Sequence, residues 1–337
     1  NINATLISQA LIFAVFVYIC YKYIWPPILS TMEERENKMA AGLEAAKQAD
    51  DSLEEAKLTY EKELKEAKEE AANIVEKANK RSSQILNDAK VKAEAEAEKI
   101  IESGYGLVTL NYNDVDPDKN DFSDGIHSLL YNSYQIKPED DQWGSISAWA
   151  WGMSRVMDYL ETEPLIDEKK VILFGHSRLG KTSLWGGALD QRFSIVISNN
   201  SGCGGAALSR RRFGEKVSDI TTNWSHWFAK NFQKYSENES SLPIDQHMLI
   251  ALIAPRPVYV ASASKDSWAD PRGEFISAKQ ASKVYKLYGM QGIELYDYPK
   301  VNTPIHQSIG YHLRDGKHDV TIYDWTQYIK FANMYLN

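Results

Sequence analysis

Cysteine is nearly absent from this chain: Cys20 and Cys203 are the two in 337 residues, and they lie in stretches of opposite composition. No disulfide framework follows from such a pair. Proline is missing from Ile28 to Ser103, a stretch that also holds one glycine, Gly42, and one aromatic, Tyr60. That poverty excludes turns and a ring-filled core there. The alanine, glutamate and lysine that remain have the composition of a long helix or coiled coil. Residues 1–21 lack charge altogether. An excess of basic groups is missing everywhere: residues 1–103 carry 14 basic and 19 acidic side chains, leaving 24 and 27 for the rest. Nucleic acid is therefore not an expected partner.

What is present divides the chain into residues 1–27, a membrane anchor; 28–103, a helical dimerisation stalk; and 104–337, a globular domain. Ala4–Tyr21 is almost wholly apolar, and as a helix it spans about 27 Å against a hydrocarbon core of about 30 Å. Tyr18, Tyr21, Tyr23 and Trp25 beside Lys22 form an aromatic cluster suited to a headgroup boundary. A cleaved signal peptide fits less well, since no basic segment precedes the apolar run and no small-residue cleavage site follows it. Pro26-Pro27 is expected to bend or break the helix. Lysine and arginine follow the span and none precede it, which places the remainder in the cytoplasm.

The stalk has a period of eleven. Ala45, Ala56, Ala67, Ala78, Ala89 and Ile100 form one row, Leu53, Leu64, Val75, Leu86 and Ala97 a second, and Ala49, Tyr60, Ala71, Ser82 and Ala93 a third. Eleven residues in three turns is about 3.67 per turn, which favours a right-handed supercoil of two helices. The alternative is one solvated helix carrying pairs such as Glu61–Lys65.

The runs Asn3-Ala4-Thr5-Leu6-Ile7, Gln9-Ala10, Lys22-Tyr23, Trp25-Pro26-Pro27 and Glu33-Glu34-Arg35, with Ala78-Asn79-Lys80-Arg81 and Gln84-Ile85-Leu86, resemble bacterial F-type ATP synthase subunit b. The resemblance covers residues 1–103. It implies a dimeric peripheral stator in the inner membrane, partnered by the synthase membrane subunits, with Arg35 near the ion-channel subunit. It ends at Ser103, before the segment with which that family grips the catalytic head.

Beyond Ser103, eight of the nine tryptophans fall between Trp143 and Trp325, and the domain is long enough to bury a core. Gly106–Tyr112 alternates apolar and polar residues and is expected to be a strand leading into the acidic loop Asn113–Asn120. Ile146–Leu160 has helical spacing. Lys170–Phe174 reads as a buried parallel strand, followed by Gly175-His176-Ser177-Arg178-Leu179-Gly180 and a helix over Thr182–Leu189. Gly-x-Ser-x-Gly between strand and helix is a nucleophile elbow: tiny residues permit a turn so sharp that the Ser177 hydroxyl rises above the sheet. The Arg178 amide then points at the oxyanion. Without that context the same five residues describe only a tight turn.

In this fold the serine is followed along the chain by an acid and then a histidine. Pro257–Ala263 is the next buried strand, with Asp266 just beyond it and Asp270 the competing acid. Asp266 could instead cap the helix starting near Pro271. His318 lies in a loop before the final helix Tyr323–Tyr335, and so reads as the base. His306 and His312 read as structural, and His176 as packing under Ser177.

The runs Gly175–Thr182, Ser201–Leu208, His226-Trp227-Phe228, Trp268–Phe275 and His318-Asp319 resemble bacterial glucuronoyl esterases, carbohydrate esterases that cleave the ester joining a xylan glucuronate to lignin alcohols. The resemblance covers about residues 104–337. It implies an α/β-hydrolase domain, mostly parallel sheet with flanking helices, that lacks its first strands. It also implies Ser177 as nucleophile, His318 as base, Arg178 as oxyanion donor, and Lys181, Glu215 and Trp268 as glucuronate contacts. No metal or organic cofactor is implied. Many members carry a glutamate before the Ser-Gly pair where this chain has Asn200, which moves the acid role to Asp266. A cytoplasmic tail conflicts with an extracytoplasmic substrate, and Gly104-Tyr105 could be a junction of two genes. A structural stator and a non-functional gene fusion therefore stand beside the esterase as alternatives.

Overall fold

The structure, a computed structural model, describes residues 4–130, 138–294 and 297–336; Asn3, which opens the first resemblance, lies outside them. The chain forms two compact units, Asn1–Lys90 and Val91–Asn337.

The first unit is helical over all its described residues. Helix α1 (Ala4–Ile19) passes through a π-helical turn, Cys20–Ile24, into α2 (Trp25–Glu102). Pro26 and Pro27 do not break the helix. A proline lacks its own N–H and crowds the carbonyl one turn back. The π turn just before them, closed by the Trp25 N–H on the Cys20 carbonyl, is wider than an α turn and accommodates that loss. The apolar part of this helix is long enough to cross a membrane, and among the described residues of the unit none is buried. Of the exposed pairs along it, Glu34–Lys38 closes at 2.7 Å, whereas Glu61 and Lys65 do not pair.

The second unit takes in the last turns of α2, where Ile100 is that helix's one buried residue. Just past the helix, the Tyr105 hydroxyl donates to Asn333 Oδ1 at 2.6 Å. Gly106–Tyr112 is not a strand, contrary to its alternation. A strand requires a neighbour to receive its backbone groups, and no strand pairs with this segment among the described residues. Leu107 and Val108 stay exposed. The chain instead turns at Tyr112–Asp114, capped by the Asn111 side chain accepting from the Asn113 N–H.

After α3 (His127–Leu130) and α4 (Ser145–Leu160) come β1 (Ile172–His176), α5 (Arg178–Leu189), β2 (Ile195–Asn199), α6 (Val217–Asn223) and α7 (Gln246–Ala251). Then follow β3 (Val258–Ala263), α8 (Pro271–Leu287), β4 (Ile309–Arg314) and α9 (Ile322–Leu336). Among the described residues four strands pair in parallel, in the order β1-β2-β3-β4. Alternation across the pleat sends Val196, Val258 and Val260 against Leu184 of α5 and Phe275, Ala278 and Tyr285 of α8. Ile195, Ile197, Tyr259 and Ala261 face the other way, onto Tyr328, Phe331 and Ala332 of α9. Helices thus cover both faces, as a parallel sheet requires. Strands β2, β3 and β4 are buried along their whole length; β1, outermost on one side, leaves Ile172, Phe174 and His176 half-buried.

Candidate active site

The carboxyl ends of the four parallel strands carry the site. At the end of β1 the chain reverses at Ser177, which adopts φ 58° and ψ −126°. A non-glycine residue with positive φ in this region costs of order 1–3 kcal/mol and persists only where neighbours enforce it. Here they do. The Ser177 N–H donates to the Asn199 carbonyl at 2.8 Å. A Cβ on Gly175 would meet the Leu179 carbonyl oxygen at 1.8 Å, and one on Gly180 would lie 2.9 Å from Ser201 Cβ. Helix α5 begins at Arg178, sooner than the Thr182 start expected, because the turn feeds the helix directly.

Beyond β4, the loop 315–319 presents His318, 41% exposed in its side chain, whose Nδ1 lies 2.6 Å from Asp266 Oδ2. Its ring is 4.6 Å from that of His176, the neighbour of Ser177. His176 therefore faces His318, and its Nδ1 is 2.6 Å from Asn199 Oδ1. Burial, reinforced by the His318 ring, lowers the His176 pKa. Asp266 is nearly enclosed. Burial alone would raise its carboxyl, but hydrogen bonds from His318 and Asn200 carry it below the ordinary value.

Asp266 also accepts from the Ala269 N–H at 3.3 Å, capping the short turn Ser267–Ala269. The helix α8 is capped by Asp270, which accepts from the Gly273 N–H at 3.0 Å and pairs with Arg211 at 2.7 Å. The two aspartates therefore occupy different environments, and only Asp266 meets the histidine. His312 pairs with Asp324 at 2.8 Å in the interior, and His306 stays below its ordinary pKa through burial.

Lys181 and Glu215 form a buried ion pair at 2.6 Å. Lys181 Nζ also donates to the carbonyls of Ser201 and Cys203, at 2.7 and 2.6 Å. Its three donors are thus all occupied. The Glu215 N–H donates to the Trp268 carbonyl at 2.7 Å, and Trp268 is 47% exposed. The pair lies under the loop that presents that indole.

Two participants, Glu274 and Asp118, are not apparent from sequence reasoning, nor is the contact that Asn200 makes. Asn200, at φ 46°, donates to Asp266 Oδ2 at 2.7 Å. Glu274 of α8 is fully buried and accepts from the Ser201 and Gly202 N–H groups and the Ser262 hydroxyl. Burial pushes its carboxyl up to about 7. Asp118, in the acidic loop, pairs with Arg178. Among the described residues, no group of three or more histidine, cysteine, aspartate or glutamate side chains is arranged to hold a metal. Arg35, on α2, is exposed and belongs to the other unit.

Residues 68–289 match the family described as glucuronyl esterase, fungi, and residues 5–109 match ATP synthase B/B' CF(0). A carbohydrate esterase from an unknown prokaryotic organism is 56% identical over 239 residues, covering 71% of this chain and 55% of its own length. The ATP synthase subunit b of Vibrio alginolyticus is 52% identical over 101 residues, 30% of this chain and 65% of its own. Among solved structures, a promiscuous CE15 esterase from the marine bacterial metagenome superposes with a TM-score of 0.67 at 55% identity, over 72% of this chain and 61% of that one. The chain thus joins an N-terminal part like subunit b to a larger part like these esterases, and spans about half the length of the curated esterase.

Proposed function

The chain belongs to the glucuronyl esterase family, and from that membership and the geometry beyond β1 we propose that its larger unit is a serine carboxylic-ester hydrolase for glucuronate esters of xylan. The supporting observation is the enforced strain at Ser177, whose neighbour His176 lies 4.6 Å, ring to ring, from a histidine already bound to a buried aspartate. His318 takes the Ser177 proton through Nε2 while Asp266 holds Nδ1–H and stabilises the imidazolium. The hydroxyl oxygen attacks the uronoyl carbonyl, and the Arg178 amide and guanidinium receive the negative charge that develops. The alcohol leaves with the proton from His318, and water repeats the sequence to release the acid. These steps call for no metal or organic cofactor.

Lys181, Glu215 and Trp268 form the proposed uronate subsite. Trp268 supplies the open wall. Glu215 meets the sugar through Oε1, since Lys181 holds Oε2. Incubation of the full chain in detergent with a fluorophosphonate probe and with benzyl glucuronate tests this reading. Labelling confined to Ser177, and hydrolysis lost in Ser177→Ala, are the expected results; hydrolysis that survives Ser177→Ala overturns it.

For the smaller unit we propose a stator-type membrane anchor that pairs with a second copy, single-pass in the inner membrane, with the larger unit on the cytoplasmic side. Leu53, Leu64, Val75 and Leu86, one row of the eleven-residue period, are all exposed in the single chain. A second stalk laid along that row would cover it. Protease cleavage of the larger unit in inverted vesicles but not in intact sphaeroplasts checks the orientation.

A further inference from the structure

Arg178 carries its charge on a long stem that starts at the first residue of α5, and a guanidinium helps an oxyanion only if it is already in place when charge develops. Its placement traces to one residue far back in the chain. Arg178 Nη1 donates to Asp118 Oδ2, while Asp118 Oδ1 accepts from His226 Nε2 at 2.8 Å and from the Trp227 indole N–H at 2.7 Å. Asp118 is itself 13% exposed, and its N–H is received by Asn113 Oδ1 at 3.1 Å. Burial, with the Arg178 charge, keeps His226 below its ordinary pKa.

The surroundings of this carboxylate are built as well. The His226 and Trp227 carbonyls receive the first N–H groups of α4, from Ser145 at 2.8 Å and Ile146 at 3.1 Å. The Asp116 carbonyl receives the Trp149 indole at 2.7 Å, and the Asp116 side chain is paired with buried His127 at 2.7 Å. The guanidinium lies 5.5 Å from the Trp227 ring and 5.9 Å from the Tyr112 ring. Among the described residues its Nε and Nη2 make no hydrogen bond, so one edge of the fork is tied down and the other is presented.

We propose that Asp118 is a positioning residue that holds the Arg178 guanidinium over the elbow, where its remaining N–H groups meet the oxyanion; this rests on the reading of Ser177 as nucleophile. A carboxylate this close also opposes the guanidinium's attraction for an anion. Its contribution is therefore placement, and removing it should lower turnover rather than substrate binding.

The test uses the full chain in detergent, with benzyl glucuronate as substrate and a fluorophosphonate to titrate active sites. Loss of one oxyanion donor lowers kcat about 100-fold or more, which sets the expectation for Arg178→Ala. Asp118→Asn should lower kcat per titrated site about tenfold with KM unchanged, as for a group that acts only in the transition state. The double variant should be no worse than Arg178→Ala alone, because the two act as a unit. Losses that multiply, or an Asp118→Asn enzyme with unaltered kcat, overturn the proposal. Should Asp118→Asn fail to fold, Asp118→Glu decides by the same kcat and KM comparison. A second readout does not depend on hydrolysis: ¹⁵N NMR of the Arg178 guanidinium, whose Nη signals are separate when rotation is restrained. If the parent neither hydrolyses nor labels, the esterase reading fails. The clamp then stands if Asp118→Asn or Asp118→Glu merges those signals and falls if neither changes them.

Discussion

His318 and Asp266 meet at 2.6 Å through Nδ1 and Oδ2. The contact joins two loops at the ends of neighbouring strands, β3 and β4, so the sheet register itself brings Asp266 to His318. Replacing such an aspartate by asparagine lowers turnover about 10⁴-fold in a serine protease, because the wrong tautomer is held. Asp266→Asn should approach the loss of Ser177→Ala while the larger unit keeps its melting temperature. Asp270→Asn should do the reverse. It keeps the cap of α8, since asparagine caps about as well as aspartate, but removes the charge that Arg211 pairs with, so it should lower the melting temperature and leave turnover largely intact. Measuring kcat and thermal midpoint for both variants separates the roles; activity lost only in Asp270→Asn would reverse the assignment.

Asn200 offers a different test, since its amide donates to the same Asp266 oxygen. Asn200→Asp sets a like charge against Asp266, which raises the pKa of the pair by about 1 unit or more. The acidic limb of the kcat/KM profile, set by the proposed base His318, should move up in pH, because a second negative charge favours the imidazolium. A profile that stays in place would show that Asn200 does not act on the acid.

Glu274 makes a prediction about stability. Its ordinary value is 4.5 and burial pushes the folded-state value up to about 7. Between those values the folded chain binds more protons than the unfolded one, so stability falls as pH rises. The contribution is fully present below 4.5 and is lost as pH rises through about 7. Glu274→Gln should flatten this slope, read as the difference in melting temperature of the larger unit between about pH 5 and about pH 8.

The stalk is tested by cross-linking. Leu64→Cys lies on the eleven-residue row and should give a disulfide-linked dimer of the full chain under mild oxidation. Lys62→Cys, on the far side of the helix, should not. Equal cross-linking at both positions would remove the seam.

Where chemistry rests on neighbours in sequence, it could be read without coordinates. The elbow between Gly175 and Gly180, the strand ahead of it and the loop holding His318 are local patterns. Asp118 was not legible in that way. Its partner Arg178 is 60 residues on, and nothing in an acidic loop tells one aspartate from the next. The Gly106–Tyr112 alternation was misleading because alternation describes a surface and does not supply a neighbouring strand. Pro26-Pro27 was misleading because the penalty of a proline depends on the turn before it, and here that turn is wide.

The half-open flank of β1 bears on the dynamics of the serine. A strand closed in by neighbours exchanges its amide protons only when much of the sheet opens, whereas a rim strand exchanges through small local fluctuations. Hydrogen exchange should therefore be slowest in β3 and fastest in β1. If so, Ser177 is attached to the strand that opens at the lowest free energy. The elbow geometry would be the first part of the site to loosen as temperature rises, before His318 and Asp266 separate.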